Sequence, residues 1–437
     1  MDITSSNVVD EAVQPINERL EVCPRRLMDT AVEQWRARHE DLSPSTDALL
    51  RKIRKSFVKY GDMIVLPSTA FPPGTWAITT GFDNESDTDN DPHIALGVKS
   101  AADLEYLYHL IMHHLKATHI ATTRPIPLQA PTEDHDQQSW NRLRAPLNFT
   151  PLYGDFGPAT CSAPPTNQDF SDAFWVTAKQ NGIVQIWAPR WTMFSRGNIS
   201  EKARLLTLPS VLQAVEEGKR DGRGCCAVDL FVGIGYFGFS YLKAGFTRVL
   251  GWDINPWSIE GAVRGAKANG WNVAKVKRVQ DVAFDVLGPG VDGRLEDDPR
   301  FVVWEEDNVH AVFRLNQFRA VYGGVYGHQW LPPVRHVNCG LLPSSRQCWQ
   351  TAVEVLSEEM GGWLHVHENF AVEEIVAKAE EVRREIQRLC EKVARGRHGS
   401  TGQEKIIVVE DINRLKSYAP GVMHVVIDLY IPGYVPD

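Results

Sequence analysis

The feature that most constrains this chain is the run Asp229-Leu-Phe-Val-Gly-Ile-Gly-Tyr-Phe-Gly238, set in and behind the almost wholly apolar stretch 225–232. A short apolar run with no polar alternation reads as a strand whose two faces are both covered. The glycines that follow let backbone approach a ligand where a helix begins. A helix over 236–244 ends at Gly245, a second strand over 248–253 ends in Asp253, and a helix over 256–269 ends at Gly270. Asp253 is placed to accept hydrogen bonds from a ribose diol. A glycine loop with a strand-end acid fits a nicotinamide dinucleotide and S-adenosylmethionine equally well.

Alternation continues to the end of the chain. Further strands are expected over 301–304, 334–342, 362–367, 405–409 and 424–431, and helices over 346–358 and 373–395. Residues 280–300 and 311–333 read as loop insertions. The pattern predicts an α/β fold, a doubly wound and mostly parallel Rossmann-like sheet. A smaller α+β domain precedes it. Residues 1–45 have weak periodicity and read as a peripheral segment, and 46–168 as an N-terminal α+β domain with an irregular connector. Residues 169–205 read as a hairpin and linker, and 206–437 as the cofactor-binding domain. In the N-terminal domain Leu49, Leu50, Ile53, Phe57 and Val58 have helical spacing, 60–67 reads as a turn and buried strand, and 101–117 as a helix. Asn181-Gly182 joins two β-prone runs and predicts a hairpin, because both residues tolerate positive φ. Asn198 or Ser200 is expected to cap a helix starting near Glu201.

The seven cysteines form no C-x-x-C pair, which predicts a reducing, cytoplasmic setting without disulfides or a zinc site. No stretch approaches the ~18–20 apolar residues of a membrane span, and Met1-Asp-Ile-Thr-Ser-Ser-Asn lacks the pattern of a secretory signal. The formal net charge of −9 excludes coating of nucleic acid by bulk charge. The acid is concentrated, however, at Asp83, Glu85, Asp87, Asp89 and Asp91, and again at Asp292, Glu296, Asp297 and Asp298. Basic residues gather elsewhere, at Arg51, Lys52, Arg54, Lys55 and Lys59, at Arg190, Arg196, Lys202 and Arg204, and at Lys275, Lys277 and Arg278. A local basic face is compatible with the acidic total, and so are ordinary solvated helix faces.

The run Thr192-Met-Phe-Ser-Arg-Gly-Asn-Ile-Ser-Glu-Lys202 resembles a motif of the tRNA wybutosine-synthesizing aminocarboxypropyltransferases, relatives of the tRNA guanine-N1 methyltransferases. Phe174-Trp-Val-Thr and Asn181-Gly-Ile-Val-Gln-Ile-Trp-Ala-Pro189 resemble the segment upstream of it, and Asp229-Leu-Phe-Val-Gly-Ile-Gly-Tyr-Phe237 the cofactor loop. Glu306-Asp307-Asn308 is similar to a Gly-Asp-Asn turn, with Glu in place of Gly. Asn338-Cys-Gly-Leu-Leu-Pro-Ser-Ser345 is similar to a Leu-Gly-Leu-Leu-Pro-Ser-Ser turn, and Leu364-His-Val-His367 and Lys416-Ser-Tyr-Ala-Pro420 to the last strands. The resemblance covers roughly 170–437, and loosely 46–70 through Gly61-Asp-Met-Ile-Val-Leu-Pro67. The two insertions and the acidic loop depart from the pattern.

The resemblance implies a transferase that moves the 3-amino-3-carboxypropyl group of S-adenosylmethionine to C7 of 4-demethylwyosine at position 37 of tRNA(Phe), beside the anticodon, releasing 5′-methylthioadenosine. It implies cofactor contacts from Ser195, Lys202, Phe231, Gly233, Gly235, Asp253, Asp307 and Asn308, with Lys202 reaching the methionyl carboxylate. Leu341, Pro343 and Ser344 would face the target base, and Arg190 and Arg196 the RNA. His365 and His367 share one strand face but have no third ligand nearby, so no metal is expected. Two alternatives stay open. One is a tRNA guanine-N1 methyltransferase of the same fold, and the other a catalytically silent RNA-binding protein.

Overall fold

The computed structural model describes residues 23–39, 42, 44–67, 101–123, 143–146, 149–276, 299–322, 331–398 and 406–434. Both acidic clusters, Lys277 and Arg278 lie outside them. The strands are, in chain order, β1 (Val58–Tyr60), β2 (Met63–Pro67), β3 (His119–Thr123), β4 (Thr150–Tyr153), β5 (Val176–Gln180), β6 (Ile183–Trp187) and β7 (Cys226–Asp229). They continue with β8 (Arg248–Asp253), β9 (Val273–Val276), β10 (Phe301–Glu305), β11 (Val334–Cys339), β12 (Gly361–Ala371), β13 (Val408–Ala419) and β14 (Val422–Pro432).

The large sheet runs β13-β14-β12-β11-β7-β8-β10-β9. From β12 to β9 every pairing is parallel, and β14 and β13 close that side antiparallel. This is a Rossmann-like, doubly wound sheet. Its central strands are buried on both faces, which is why β7 carries no exposed residue. Cys226 and Val228 point to one core with Ala311, Leu315, Trp349, Ala352, Ile375 and Val382. Cys225 and Ala227 point to the other, with Val211, Ala214, Phe239, Tyr241, Ile259 and Ala262. Because the strand order reverses around β7, the loops after β7 and β11 diverge to opposite faces and leave a crevice at the strand ends.

Several expectations need correction. The segment before residue 46 is not peripheral, because helix Pro24–Arg36 buries Met28, Ala31, Val32 and Trp35 in the N-terminal core with Leu50, Ile64, Leu107 and Ile111. Residues 311–322 form a helix rather than a loop, held by Ala311 and Leu315 one turn apart in the main core. β3, β4 and β9 were not anticipated, being only 5, 4 and 4 residues long. β13 runs far beyond 409, its outer face polar as suits a sheet edge. The helix expected near Glu201 starts at Ile199, and Asn198 does not cap it; its Oδ1 accepts from Lys416 Nζ at 3.2 Å. The hairpin is as predicted, with Asn181 at φ +53° and Gly182 at +71°.

The N-terminal sheet runs β1-β2-β3-β4. Met63 and Ala121 from it meet Val176, Trp187 and Ile234, so the hairpin is the wedge between the two domains. Among the described residues no helix is long and apolar enough to cross a membrane.

Trp252 and Trp304 occupy paired positions on β8 and β10 and stack at 4.4 Å with ring planes 3° apart. Both are buried. Trp304→Ala should lower unfolding stability by about 3–5 kcal/mol, read from the shift of a urea denaturation midpoint. An unchanged midpoint would show that this stack does not support the ends of β8 and β10.

Candidate nucleoside site at the strand ends

The carboxyl ends of β7, β8, β10 and β11 open on the same edge of the sheet, and the residue after each enters one cavity of about 550 Å³. Its walls come from Leu230, Phe231 and Gly233 after β7, Asp253 and Ile254 at β8, Glu306–Val309 after β10, and Gly340–Leu342 after β11. Residues 192–195 and 198 close one side, and Leu143 and Arg144 form a roof.

Two carboxylates shape the glycine loop. Asp229 is fully buried. Its Oδ1 accepts from the Phe231 N–H at 3.3 Å and from Asn338 Nδ2 at 3.3 Å, and its Oδ2 from the Gly238 N–H at 3.2 Å. Burial pushes its carboxyl up to about 7 against the pull of those donors. Asp253 accepts the Gly233 N–H on Oδ2 at 3.0 Å and the Asn255 N–H on Oδ1 at 2.8 Å. Burial raises it to about 6. A carboxylate offers about four lone-pair sites, so each Asp253 oxygen retains room for a hydroxyl. Adjacent hydroxyls on a ribose present that spacing. Gly233 needs its left-handed φ of +54° for this turn, and Gly235, at +92°, is pressed so closely on Phe239 that a Cβ would fall 2.4 Å from the ring. Gly233 therefore lines the cavity, whereas Gly235 makes the turn and stays out of the wall.

After β10, Asp307 caps the following turn by accepting the Val309 N–H at 3.1 Å, and Asn308 Nδ2 donates to the Leu230 carbonyl at 2.8 Å. Both line the cavity. Glu306, in the position where glycine was the pattern, pairs with Arg314 of the unforeseen helix at 2.7 Å. Both partners are buried, so this pair fastens the insertion beside the cavity.

Ser195 lies in the wall, and its N–H donates to the Tyr236 hydroxyl at 3.1 Å, while that hydroxyl donates to the Met193 carbonyl at 2.6 Å. Tyr236 thus staples the 192–195 loop over the glycine loop. Lys202 is not part of the wall. It is buried, with Nζ donating to Oε1 of Gln180 at 2.5 Å and of Gln185 at 2.9 Å, and it lies 5.3–5.4 Å from the rings of Phe194 and Tyr236. Burial, and then the nearby charge of Lys416, lower its ammonium to about 7. The structure places it behind the aromatic wall, without a reach into the cavity.

The turn after β11 divides. Leu341 lines the cavity together with Leu342; Pro343 and Ser344 do not. Ser344 Oγ instead donates to Glu368 Oε1 at 3.0 Å, and the same oxygen accepts the Ser345 N–H at 2.8 Å and Ser345 Oγ at 3.1 Å. Arg190 is half-buried over the Phe149 ring at 5.9 Å, away from the cavity, and Arg196 is exposed on the outer side of the 192–198 loop. His365 is occupied on both ring nitrogens, by His336 at 2.8 Å and Asp428 at 2.7 Å, and His367 Nδ1 meets His424 Nε2 at 3.0 Å.

Sequence reasoning did not name Tyr236, Phe194, Glu306, Leu143 or Arg144 as site residues. Tyr236 and Phe194 were inside quoted motifs and could have been found there. Leu143 and Arg144 could not, because they reach the site only through contacts distant in the chain. The Leu143 carbonyl accepts from Asn255 Nδ2 at 2.9 Å, and Arg144 Nη2 donates to the Leu342 carbonyl.

Strand order and switch point define a doubly wound α/β fold, in which ligands bind outside the carboxyl ends of the strands at the switch point. No protein-family model matches the chain. The chain is 35% identical over 323 residues to tRNA wybutosine-synthesizing protein 2 of Schizosaccharomyces pombe, covering 74% of this chain and 63% of that one. It is 33% identical over 327 residues to the protein of the same name in Saccharomyces cerevisiae, covering 71% and 59%. The match spans about three-fifths of the length of these two proteins. In fold it resembles the crystal structure of Pyrococcus horikoshii TYW2 in complex with MeSAdo, at a TM-score of 0.51 and 15% identity over 92% of this chain and all of that one.

Glu368 gathers three donors on one oxygen. Its truncation in Glu368→Ala should cost about 1–3 kcal/mol, since the buried Ser345 N–H loses its acceptor. Differential scanning calorimetry reads this as a lower Tm, and an unaltered Tm would show that Glu368 does not hold the turn.

Proposed function

We propose that this chain transfers the 3-amino-3-carboxypropyl group of S-adenosylmethionine to C7 of 4-demethylwyosine at position 37 of tRNA(Phe), the reading that its relatives and its strand-end cavity support together. The observation that carries it is the convergence of Asp253, Asp307, Asn308 and Leu341 on one cavity at the switch point of the sheet. Its size falls within the range of small-molecule pockets.

The residues present fit an adenosyl ligand by their chemistry. Asp253 retains acceptor sites for the ribose hydroxyls. Phe231, Ile254 and Val309 are apolar neighbours for a purine face, and Asp307 and Asn308 offer polar edges beside them. The sulfonium supplies three activated carbons, so the product depends on which one faces the nucleophile. The protein's work is therefore placement. In the transfer a bond would form between C7 and the γ-carbon of the amino-acid arm, the bond from that carbon to sulfur would break with its electrons going to sulfur, and the C7 proton would pass to water. C7 is electron-rich, and no strong base is required; orientation and charge placement dominate. Leu341 and Leu342 form the apolar side of the cavity toward which the base would be turned out, and Glu368 fixes that turn from behind. Lys202 acts from outside the wall, supporting Phe194 and Tyr236 rather than gripping the ligand. RNA contact near the anticodon, with Arg196 exposed beside the cavity, completes the reading, and a cytoplasmic setting goes with it.

Asp253→Ala should weaken S-adenosylmethionine binding by about 1–3 kcal/mol through loss of the hydroxyl acceptor, measured by calorimetric titration at pH 7.5. An unchanged dissociation constant would remove Asp253 from the site. The transfer itself is tested by incubating the protein with S-adenosylmethionine and tRNA(Phe) carrying 4-demethylwyosine, then analysing nucleosides and small molecules by mass spectrometry. The expected products are the aminocarboxypropylated base and 5′-methylthioadenosine. S-adenosylhomocysteine with a methylated guanine would assign a methyltransferase instead, and absence of any product would favour a silent RNA-binding protein.

A further inference from the structure

Outside the nucleoside cavity the described residues enclose a larger groove of about 920 Å³ between the N-terminal domain and the β5–β6 hairpin. Its cations come from separate elements. Arg25 stands at the start of the helix Pro24–Arg36, Lys55 at the end of the helix Pro44–Ser56, Lys59 on β1, Lys179 on β5 and Arg196 on the outer side of the 192–198 loop. All are exposed, and none has an ion pair among the described residues. Asp62 is the one carboxylate in the lining. The contrast with the neighbouring helix face is direct. Arg51 and Arg36 share Asp47, and Arg54 pairs with Asp29 and Glu33, whereas the groove cations have no such partner among the described residues. On a chain of formal net charge −9 such an imbalance is local, not a by-product of a basic protein.

The floor of the groove is fixed. Gly61, at φ +47°, brings the β1–β2 turn so close to β5 that a Cβ would lie 2.7 Å from the Thr177 carbonyl oxygen. Phe57, Tyr60, Phe174 and Trp175 add aromatic surface between the cations. The groove also shares a wall with the nucleoside cavity. Residues 192–195 and 198 face the cavity, while Arg196 and Ile199 of the same loop face the groove, and Ile199 is 43% exposed.

We infer that this groove carries the sugar–phosphate backbone of the RNA substrate, bringing a base to the cavity over the far side of the 192–199 loop. The inference rests on the proposed function for its RNA, and on charge complementarity and continuity with the cavity for its location. Regularly spaced phosphates suit unpaired cations spread along a channel, and interleaved rings suit unstacked bases. An acidic protein surface would satisfy the charges but would not require the groove to end at the cavity.

The test uses the full chain with Lys55→Gln, Lys59→Gln and Lys179→Gln combined. A control triple, Lys378→Gln, Arg384→Gln and Arg388→Gln, makes the same change in charge on the helix Ile375–His398. Binding of tRNA(Phe) carrying 4-demethylwyosine is measured by fluorescence anisotropy across a salt series, and S-adenosylmethionine affinity by calorimetry. The groove triple should lose about tenfold or more in RNA affinity, and its plot of log affinity against log salt should flatten by about 2. Its S-adenosylmethionine affinity should match wild type, showing an intact fold, and the control should keep RNA binding. Wild-type RNA affinity and slope in the groove triple would overturn the inference and leave the proposed function standing, as would equal losses in both triples. A wild-type protein that neither binds the tRNA nor forms product would overturn the proposed function itself.

Discussion

The site depends on how two strand-end carboxylates hold a loop of glycines. Asp229 and Asp253 end adjacent parallel strands, and between them they accept backbone N–H groups from Phe231, Gly233, Gly238 and Asn255. Gly238 and Asn255 stand at the start of two helices, where the first N–H groups have no partner within the helix, and Phe231 and Gly233 lie in the loop leading to the first. One set of hydrogen bonds therefore fixes both helix entries and leaves Asp253 with spare acceptor sites toward the cavity. Burial resists both charges, which is why the two carboxyls sit well above the ordinary range. A site that keeps costly groups in place through its own backbone is organised before a ligand arrives.

Around that centre the chain spends its contacts on position. Tyr236 ties the 192–195 loop to the glycine loop, Glu368 holds the turn after β11, and the Glu306–Arg314 pair fastens an insertion against the third strand end. The helix Ile199–Leu205 is anchored from the opposite side. Arg204 bridges Glu201 and Asp428, and Asn413 Nδ2 donates to Glu201 at 2.6 Å. Through this link the antiparallel strands β13 and β14 reach the loop that walls the cavity. The C-terminal hairpin is thus part of the support of the site as well as a sheet edge.

Much of this was legible in the sequence, for physical reasons that differ by residue. The apolar run of β7, the glycines after it and Asp253 are local signals, because a covered strand and a tight turn each dictate residue types in succession. Asn181-Gly182 declared its turn for the same reason. Leu341, Asp307 and Asn308 were found through resemblance, and they line the cavity. Pro343, Ser344, Gly235 and Lys202 belong to the same motifs but serve the scaffold. A motif marks a segment, and only packing decides which of its side chains faces inward. The helix 311–322 was hidden because two buried residues, Ala311 and Leu315, anchor it, and its Phe313 is 54% exposed, so that its amphipathic pattern is blurred. Leu143 and Arg144 were hidden because tertiary contact, not periodicity, brings them to the site.

We propose that the Asp253 carboxylate, in its ionised form, receives the nucleoside. Burial sets its pKa near 6, so the ionised acceptor is present above that pH and is lost as pH falls through it. Calorimetric titration of 5′-methylthioadenosine between pH 5 and 8 tests this directly, with Asp253→Asn as the reference in which only other groups, Asp229 among them, still titrate. Affinity in the wild-type protein should hold above about pH 7, decline below 6, and show a weaker dependence in Asp253→Asn. Identical pH profiles for the two proteins, at equal affinity, would contradict the account.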